Sequence, residues 1–121
     1  MSTQTTQTSR GWLFEKKSQL EDAQIALDIL HSNETDTDDK QKRSQILFEC
    51  EGALNRVKRM LLEDAAGEIT LNPPDAELIA RTEQLAHQLD QQLLRERKFS
   101  AKLKLFADIS RLLTRMVGAP N

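Results

Sequence analysis

From Asp75 to Val117 the chain contains neither glycine nor proline and is dominated by Leu, Ala, Gln, Arg, Lys and Glu. These residues lose least on entering a helix. Read locally, the stretch predicts one continuous helix, which at about 1.5 Å per residue would extend about 65 Å, roughly twice the diameter of a small domain. A helix of that length must find packing partners in the rest of the chain or in a second copy of it.

The apolar pattern changes partway along. Leu78, Leu85 and Leu89 form a narrow seam before residue 90, whereas Phe99, Leu103, Leu105, Phe106, Ile109, Leu112, Leu113, Met116 and Val117 form a wider one after residue 98. Between them lies a polar waist, Asp90 to Lys98, with Gln92 and Glu96 at the seam positions. Arg95-Glu-Arg-Lys98 holds only good helix formers and no turn residue, so continuity is the expected reading. A break near residues 90–98, folding the chain into a four-helix bundle, is the alternative.

Two helices are predicted upstream. Ser9 is placed to cap the first, which runs from about Gly11 or Trp12 to Leu30 with the stripe Leu13, Leu20, Ala23, Leu27 and Leu30. His31 to Thr37 carries turn-forming types, and Asp36, Asp38 and Asp39 set negative charge at the start of the next helix, where the dipole is positive. That helix should reach about Ala66, with Gly67 in the left-handed C′ position. Its apolar residues Ile46, Leu47, Cys50, Ala53, Leu54, Val57, Met60 and Leu61 occupy one broad arc. Pro73-Pro74 interrupts the helical pattern; Ile69 and Leu71 are expected against the end of the bundle, and Pro74 suits the first turn of the last helix.

Aromatic residues make up 4% of the chain and charged residues 30%, a profile of surface-rich helices and not of sheets. The expected class is all-α: a hairpin or bundle of three helices with a long C-terminal helix. Residues 1–9 read as a disordered tail and residues 10–121 as a single domain. The second helix, at roughly 30 residues, reaches only about 45 Å, so a continuous last helix would overhang it by about 20 Å. Its wide stripe would then lie in water. A homodimer that pairs the last helices, in the manner of a coiled coil, is the economical cover, with Phe99, Leu103, Phe106, Ile109, Leu113 and Met116 as the candidate interface.

The chain offers little to chemistry. A net charge of −2 and a pI near 5.7 give no global pull toward nucleic acid. Arg97, Lys104, Arg111 and Arg115 align within about 40° on the last helix, a basic ridge that could follow phosphates. No aromatic lies on it to stack a base, so a solvated face is the stronger reading. Glu83 and His87, spaced i, i+4, face the same way, but two ligands do not make a metal site. Cys50 lies on an apolar arc with no His or Lys within one turn and reads as a small packed hydrophobe. Lys102 falls inside the apolar arc of the last helix, where it would snorkel or pair. No phosphate loop or nucleophile elbow occurs. No catalytic, cofactor-binding or metal-binding residues are therefore expected, and the chain reads as a protein that is not an enzyme.

A single cysteine and the Ser/Thr/Gln-rich start, which lacks the pattern of a secretory signal, point to a reducing cytoplasm. No apolar run approaches the length of a membrane span. Phe48, Gly52, Asn55 and Leu62 lie on the back of the second helix, opposite its core arc; the first helix wrapping round is the expected cover, an external partner the alternative. Trp12 and Phe14 divide in the same way between core anchor and partner contact. Trp12, Phe14, Phe48, Gly52 and Leu62 thus form the candidate partner surface. The function expected from these features is a protein–protein interaction module, an adaptor or small chaperone working as a homodimer. The alternatives are a nucleic-acid-associated regulator using the ridge and a ligand carrier or small enzyme with an unrecognised site.

Overall fold

The computed structural model describes residues 8–91 and 96–118, so most of the expected tail and the middle of the waist, including Gln92, lie outside the described residues. Helix α1 spans Ser9–Asn33, α2 Thr37–Ala65, α3 Ala76–Gln91 and α4 Phe99–Leu113, and a short 3-10 turn, Thr114–Met116, follows α4. Among the described residues every element is helical apart from one isolated β-bridge, between Leu71 and Val117.

Polar side chains set the helix starts. Thr8, one residue before the expected Ser9, caps α1 by accepting the Gly11 N–H at 3.0 Å. Asp36 caps α2 by accepting the Asp39 N–H at 2.9 Å, and Asp38 and Asp39 follow in the first turn. Gly67 ends the α2 region with a φ of 75°, the left-handed conformation expected of it. Asp75, just after the prolines, accepts the Leu78 N–H at 2.9 Å and starts α3. The connector is then clamped to the chain end: the Asn72 N–H donates to the Met116 carbonyl at 2.7 Å and the Gly118 N–H to the Thr70 carbonyl at 2.8 Å. Gly118 leaves no room for a side chain, because a Cβ would run into the Thr70 hydroxyl.

The helices pair as two antiparallel hairpins. In α1–α2, Arg10 meets Asp64 at 2.6 Å, Gln24 donates to Glu51 at 3.0 Å midway along, and Arg43 meets Glu34 at 2.7 Å beside the turn. In α3–α4, Arg115 lies 3.0 Å from both Asp75 and Glu77, and Arg81 lies 3.5 Å from Asp108. The hairpins pack together chiefly through α2 and α4. Leu13, Leu20, Ala23 and Leu27 of α1, Leu78 and Leu85 of α3, Leu105, Phe106, Ile109, Leu112, Leu113 and Met116, and the α2 arc apart from Leu47 form one buried cluster, with Leu47, Phe99 and Leu103 partly buried against it and Val117 exposed.

Asp75 to Val117 is therefore not one helix, which corrects the expectation of continuity. In an unbroken helix Asp75 and Arg115 would stand about 60 Å apart, whereas here they form an ion pair. Folding back places Phe106, Ile109, Leu112, Leu113 and Met116 in the core at no more than 1% exposure. Burying a large apolar side chain contributes about 1.5–3 kcal/mol, and a helix former in a non-helical position forgoes less than about 1 kcal/mol. Five such side chains outweigh the propensity of a few waist residues.

Candidate functional site

Three regions gather the polar chemistry of the chain, and a fourth gathers its exposed apolar residues. The first region sits where the α1–α2 turn meets the start of α4. Arg43, itself buried, pairs with Glu34 and holds its guanidinium 5.1 Å from the centre of the Phe99 ring, with the Lys42 ammonium 5.9 Å from the same ring. Arg97 forms an ion pair with Asp39, and the Lys102 ammonium donates to the Glu96 carbonyl. Arg43 next to Glu34 holds that carboxyl below its ordinary range. Burial, with the nearby Arg43 charge, pulls Lys102 down to about 8. Arg97–Asp39 and Lys102–Glu96 tie the 96–98 bend to α2 and α4, Arg43 and Lys42 hold Phe99 against α2, and Arg43–Glu34 closes the α1–α2 turn. Sequence reasoning missed Glu34, Asp39 and Arg43 as a group because the turn that brings them to Phe99 is itself a tertiary event.

The second region is the expected basic ridge. Arg97 is spent on Asp39; Lys104 and Arg111 lie 3.2 Å and 3.5 Å from Asp108, which Arg81 also approaches. Arg115 takes Asp75 and Glu77. Lys104 and Arg111 hold the Asp108 carboxyl below its ordinary range, and the Leu78 N–H and Arg115 do the same for Asp75. All four ridge cations thus have carboxylate partners, and Arg97 lies in a bend away from the α4 helix that was expected to carry it.

The third region is the groove between α3 and α4, about 740 Å³, whose lining includes Arg81, Glu83, His87, Lys104 and Asp108. Glu83 and His87 are exposed at its rim. Among the described residues no group of three or more His, Cys, Asp or Glu side chains is placed to hold a metal ion. Cys50 is fully buried, its thiol donates to the Leu20 carbonyl at 3.7 Å, and burial pushes its pKa up to about 12. A thiol held neutral in this way is a packing group and a poor nucleophile.

The apolar residues expected at an interface separate sharply. Phe106, Ile109, Leu113 and Met116 are buried inside their own chain, and Phe99 and Leu103 are half-buried against its core. The C-terminal stripe is not an open surface, which corrects that part of the candidate interface. Trp12 is also a core residue, 9% exposed, with the Lys16 ammonium 5.1 Å from its ring centre.

Phe14, Phe48 and Leu62, by contrast, stand in water, Phe48 at 71% and Leu62 at 72% exposure. Among the described residues no helix wraps over the back of α2, which corrects the expected cover by the first helix, and a Cβ built at Gly52 would meet nothing within 4 Å. Ile25 and Ile29, at 61% and 54%, continue the Phe14 line along the outside of α1. Sequence reading passed over this pair, although its i, i+4 spacing directly opposite the core stripe was a usable signal. The α1–α2 hairpin therefore carries two outward apolar strips, Phe14–Ile25–Ile29 and Phe48–Leu62.

Among the described residues no helix is long and apolar enough to cross a membrane. Comparison with protein families, with curated proteins and with solved structures finds no match to this chain.

Proposed function

We propose that the chain is a non-enzymatic protein–protein interaction module, an adaptor or small chaperone working in the cytoplasm, whose folding unit is a four-helix bundle and whose docking surface is the outer face of α1–α2. The observation that carries this reading is the line of large apolar side chains, Phe14, Ile25, Ile29, Phe48 and Leu62, more than half exposed on one hairpin. Scattered surface apolar residues need no explanation, but five large ones more than half exposed on one hairpin exceed what the rest of the described chain carries, where only Ile79 and Val117 are exposed, at 37% and 40%. Gly52 adds to this: it weakens α2 by up to about 1 kcal/mol, fills no need inside the chain, and leaves the helix backbone open to close approach.

The pairing of every ridge cation with a carboxylate weighs against phosphate recognition on α4, since those contacts would first have to be given up. The test compares the wild type with Phe48→Ser/Leu62→Ser as immobilised baits in an extract of the host cell. The wild type should retain a defined set of proteins, itself included or not, that the double variant loses while keeping the same helical content. Equal retention by both, or retention released in full by nuclease, would overturn the reading.

A further inference from the structure

The start of α4 is built differently from the other helix starts. Thr8, Asp36 and Asp75 each accept an N–H of the helix that follows, whereas Lys98 precedes α4 with no side-chain acceptor, at φ −90° and ψ 64°. A helix running on from α3 would supply the missing acceptors from carbonyls one turn earlier. The residues before Phe99 favour that course, since Glu96, Arg97 and Lys98 are good helix formers placed in a bend. The apolar residues on either side are also in phase. Leu78, Leu85, Phe99, Phe106 and Leu113 are separated by multiples of seven, as are Leu89, Leu103 and Val117, the spacing of a single continuous seam. Two helices joined by a bend need share no phase.

The place that α4 fills does not depend on which chain supplies it. Helix α4 packs more on α2 than on its own hairpin partner α3. Asp75–Arg115 and Arg81–Asp108 are both centred near residue 95. A twofold axis through that point lays two straightened α3–α4 helices antiparallel and remakes both pairs between copies. We infer that α4 is an exchangeable element: in a dimer of this chain α3 and α4 run on as one helix, and α4 of each copy fills the place beside α2 and α3 of the other. Such a dimer keeps the α4 stripe covered and lets the connector follow its helix preference, two demands that a single chain sets against each other. The seven residues between α3 and α4 span about 10 Å as helix and hold the two bundles apart. The outer face of α1–α2 takes no part and stays free in either form.

The β-bridge between Leu71 and Val117 reports which chain supplies α4. The Asn72 and Gly118 N–H groups donate on either side of it, so the two residues face each other without exchanging hydrogen bonds, the arrangement with the shorter Cα separation and within reach of a disulfide. Leu71→Cys/Val117→Cys, refolded reduced and then oxidised, should be joined within one chain in the monomer and between two chains in the exchanged dimer; Cys50, fully buried, stays out of the reaction. Unfolding in urea and refolding at rising protein concentration, up to high micromolar, should give a growing fraction at twice 13.8 kDa by light scattering, and that fraction alone should run as a linked dimer on a denaturing gel. Lys98→Pro should lower the fraction by about tenfold or more while keeping the helical content of the monomer, because proline suits a helix start and breaks a helix interior. Lys98→Gly, which has no ring to disturb folding, should act in the same direction. Wild type that refolds only as monomer at every concentration, or a Lys98→Pro dimer fraction equal to that of the wild type, would overturn the exchange. So would a dimer whose disulfides close within each chain, which would place the contact on another surface, such as the outer face of α1–α2.

Discussion

The two hairpins handle the same materials in opposite ways. In α3–α4 the large apolar residues Leu78, Leu85, Phe106, Ile109, Leu112 and Leu113 are buried, and Arg81, Lys104, Arg111 and Arg115 share the carboxylates of Asp75, Glu77 and Asp108. In α1–α2 one side is equally well buried, but the other keeps Phe14, Ile25, Ile29, Phe48 and Leu62 in water, with Asp22, Asp28, Arg56, Lys58 and Arg59 exposed and in no ion pair among the described residues. An ion pair on a surface contributes only about 0–1 kcal/mol, so pairing on α3–α4 is not what stabilises it. What the contrast shows is which surface is finished by its own chain. The α3–α4 side leaves Ile79 and Val117 only 37% and 40% exposed, whereas the outer side of α1–α2 leaves five large apolar side chains more than half exposed, and with them more to offer a partner.

The comparison is most exposed to failure in the core. Phe106→Ala, at a side chain with no exposure, should cost about 3–5 kcal/mol in urea unfolding through lost transfer energy and the cavity left behind. A cost below about 1 kcal/mol would mean that α4 does not fold back into the core, and the hairpin contrast would collapse.

A smaller effect distinguishes the hairpins by pH. Lys102 in α4 is pulled from 10.5 down to about 8 by burial, and Cys50 in α2 is pushed from 9.0 up to about 12, also by burial. The signs are opposite. Between pH 8 and 10.5 the unfolded chain binds more protons at Lys102 than the folded chain does, so on its account stability rises with pH across that window and its burial cost is fully in force below pH 8. At Cys50 the folded chain holds the proton that the unfolded chain releases above pH 9, so its contribution is complete below pH 9 and is lost between 9 and 12. Lys102→Met should remove the rise, and Cys50→Ala should remove the fall. Melting curves from pH 7 to 10.5 for the two variants should therefore diverge from the wild type in opposite directions.

The smallest effect is on the unfinished surface. Phe48→Ala, in place of an aromatic side chain on the outside of α2, should shift stability by no more than about 0.5 kcal/mol in urea unfolding at low protein concentration. A cost comparable with that of Phe106→Ala would place Phe48 in the core of the chain and remove it from any interface.

Much of the α1–α2 hairpin was legible. The arc from Ile46 to Leu61, the acidic start at Asp36–Asp39 and the left-handed Gly67 all follow from local rules, and Phe48, Gly52 and Leu62 could be seen to point away from that arc, but their exposure could not, since the first helix was expected to cover them. The separation of α3 from α4 was not. Arg95, Glu96, Arg97 and Lys98 favour helix, and no residue there signals a turn. The interface expected on Phe106, Ile109, Leu113 and Met116 failed for the same reason, since it assumed an overhang that the fold removes. Ile25 and Ile29 were readable and were passed over in favour of the stronger stripe on the opposite face.

Alone, then, the sequence determined the class of element, the faces of α1 and α2, and their ends, because capping, φ preference and apolar periodicity act within a turn or two of chain. Tertiary structure decided where α4 goes and which charges are spent. Burying the wide α4 stripe outweighs local helix preference, and the return of α4 along α3 brings Arg115 to Asp75 and Lys104, Arg111 and Arg81 to Asp108. Which cations remain unpaired is a property of those long-range contacts, so the contrast between a finished and an unfinished face appears only once the chain is folded.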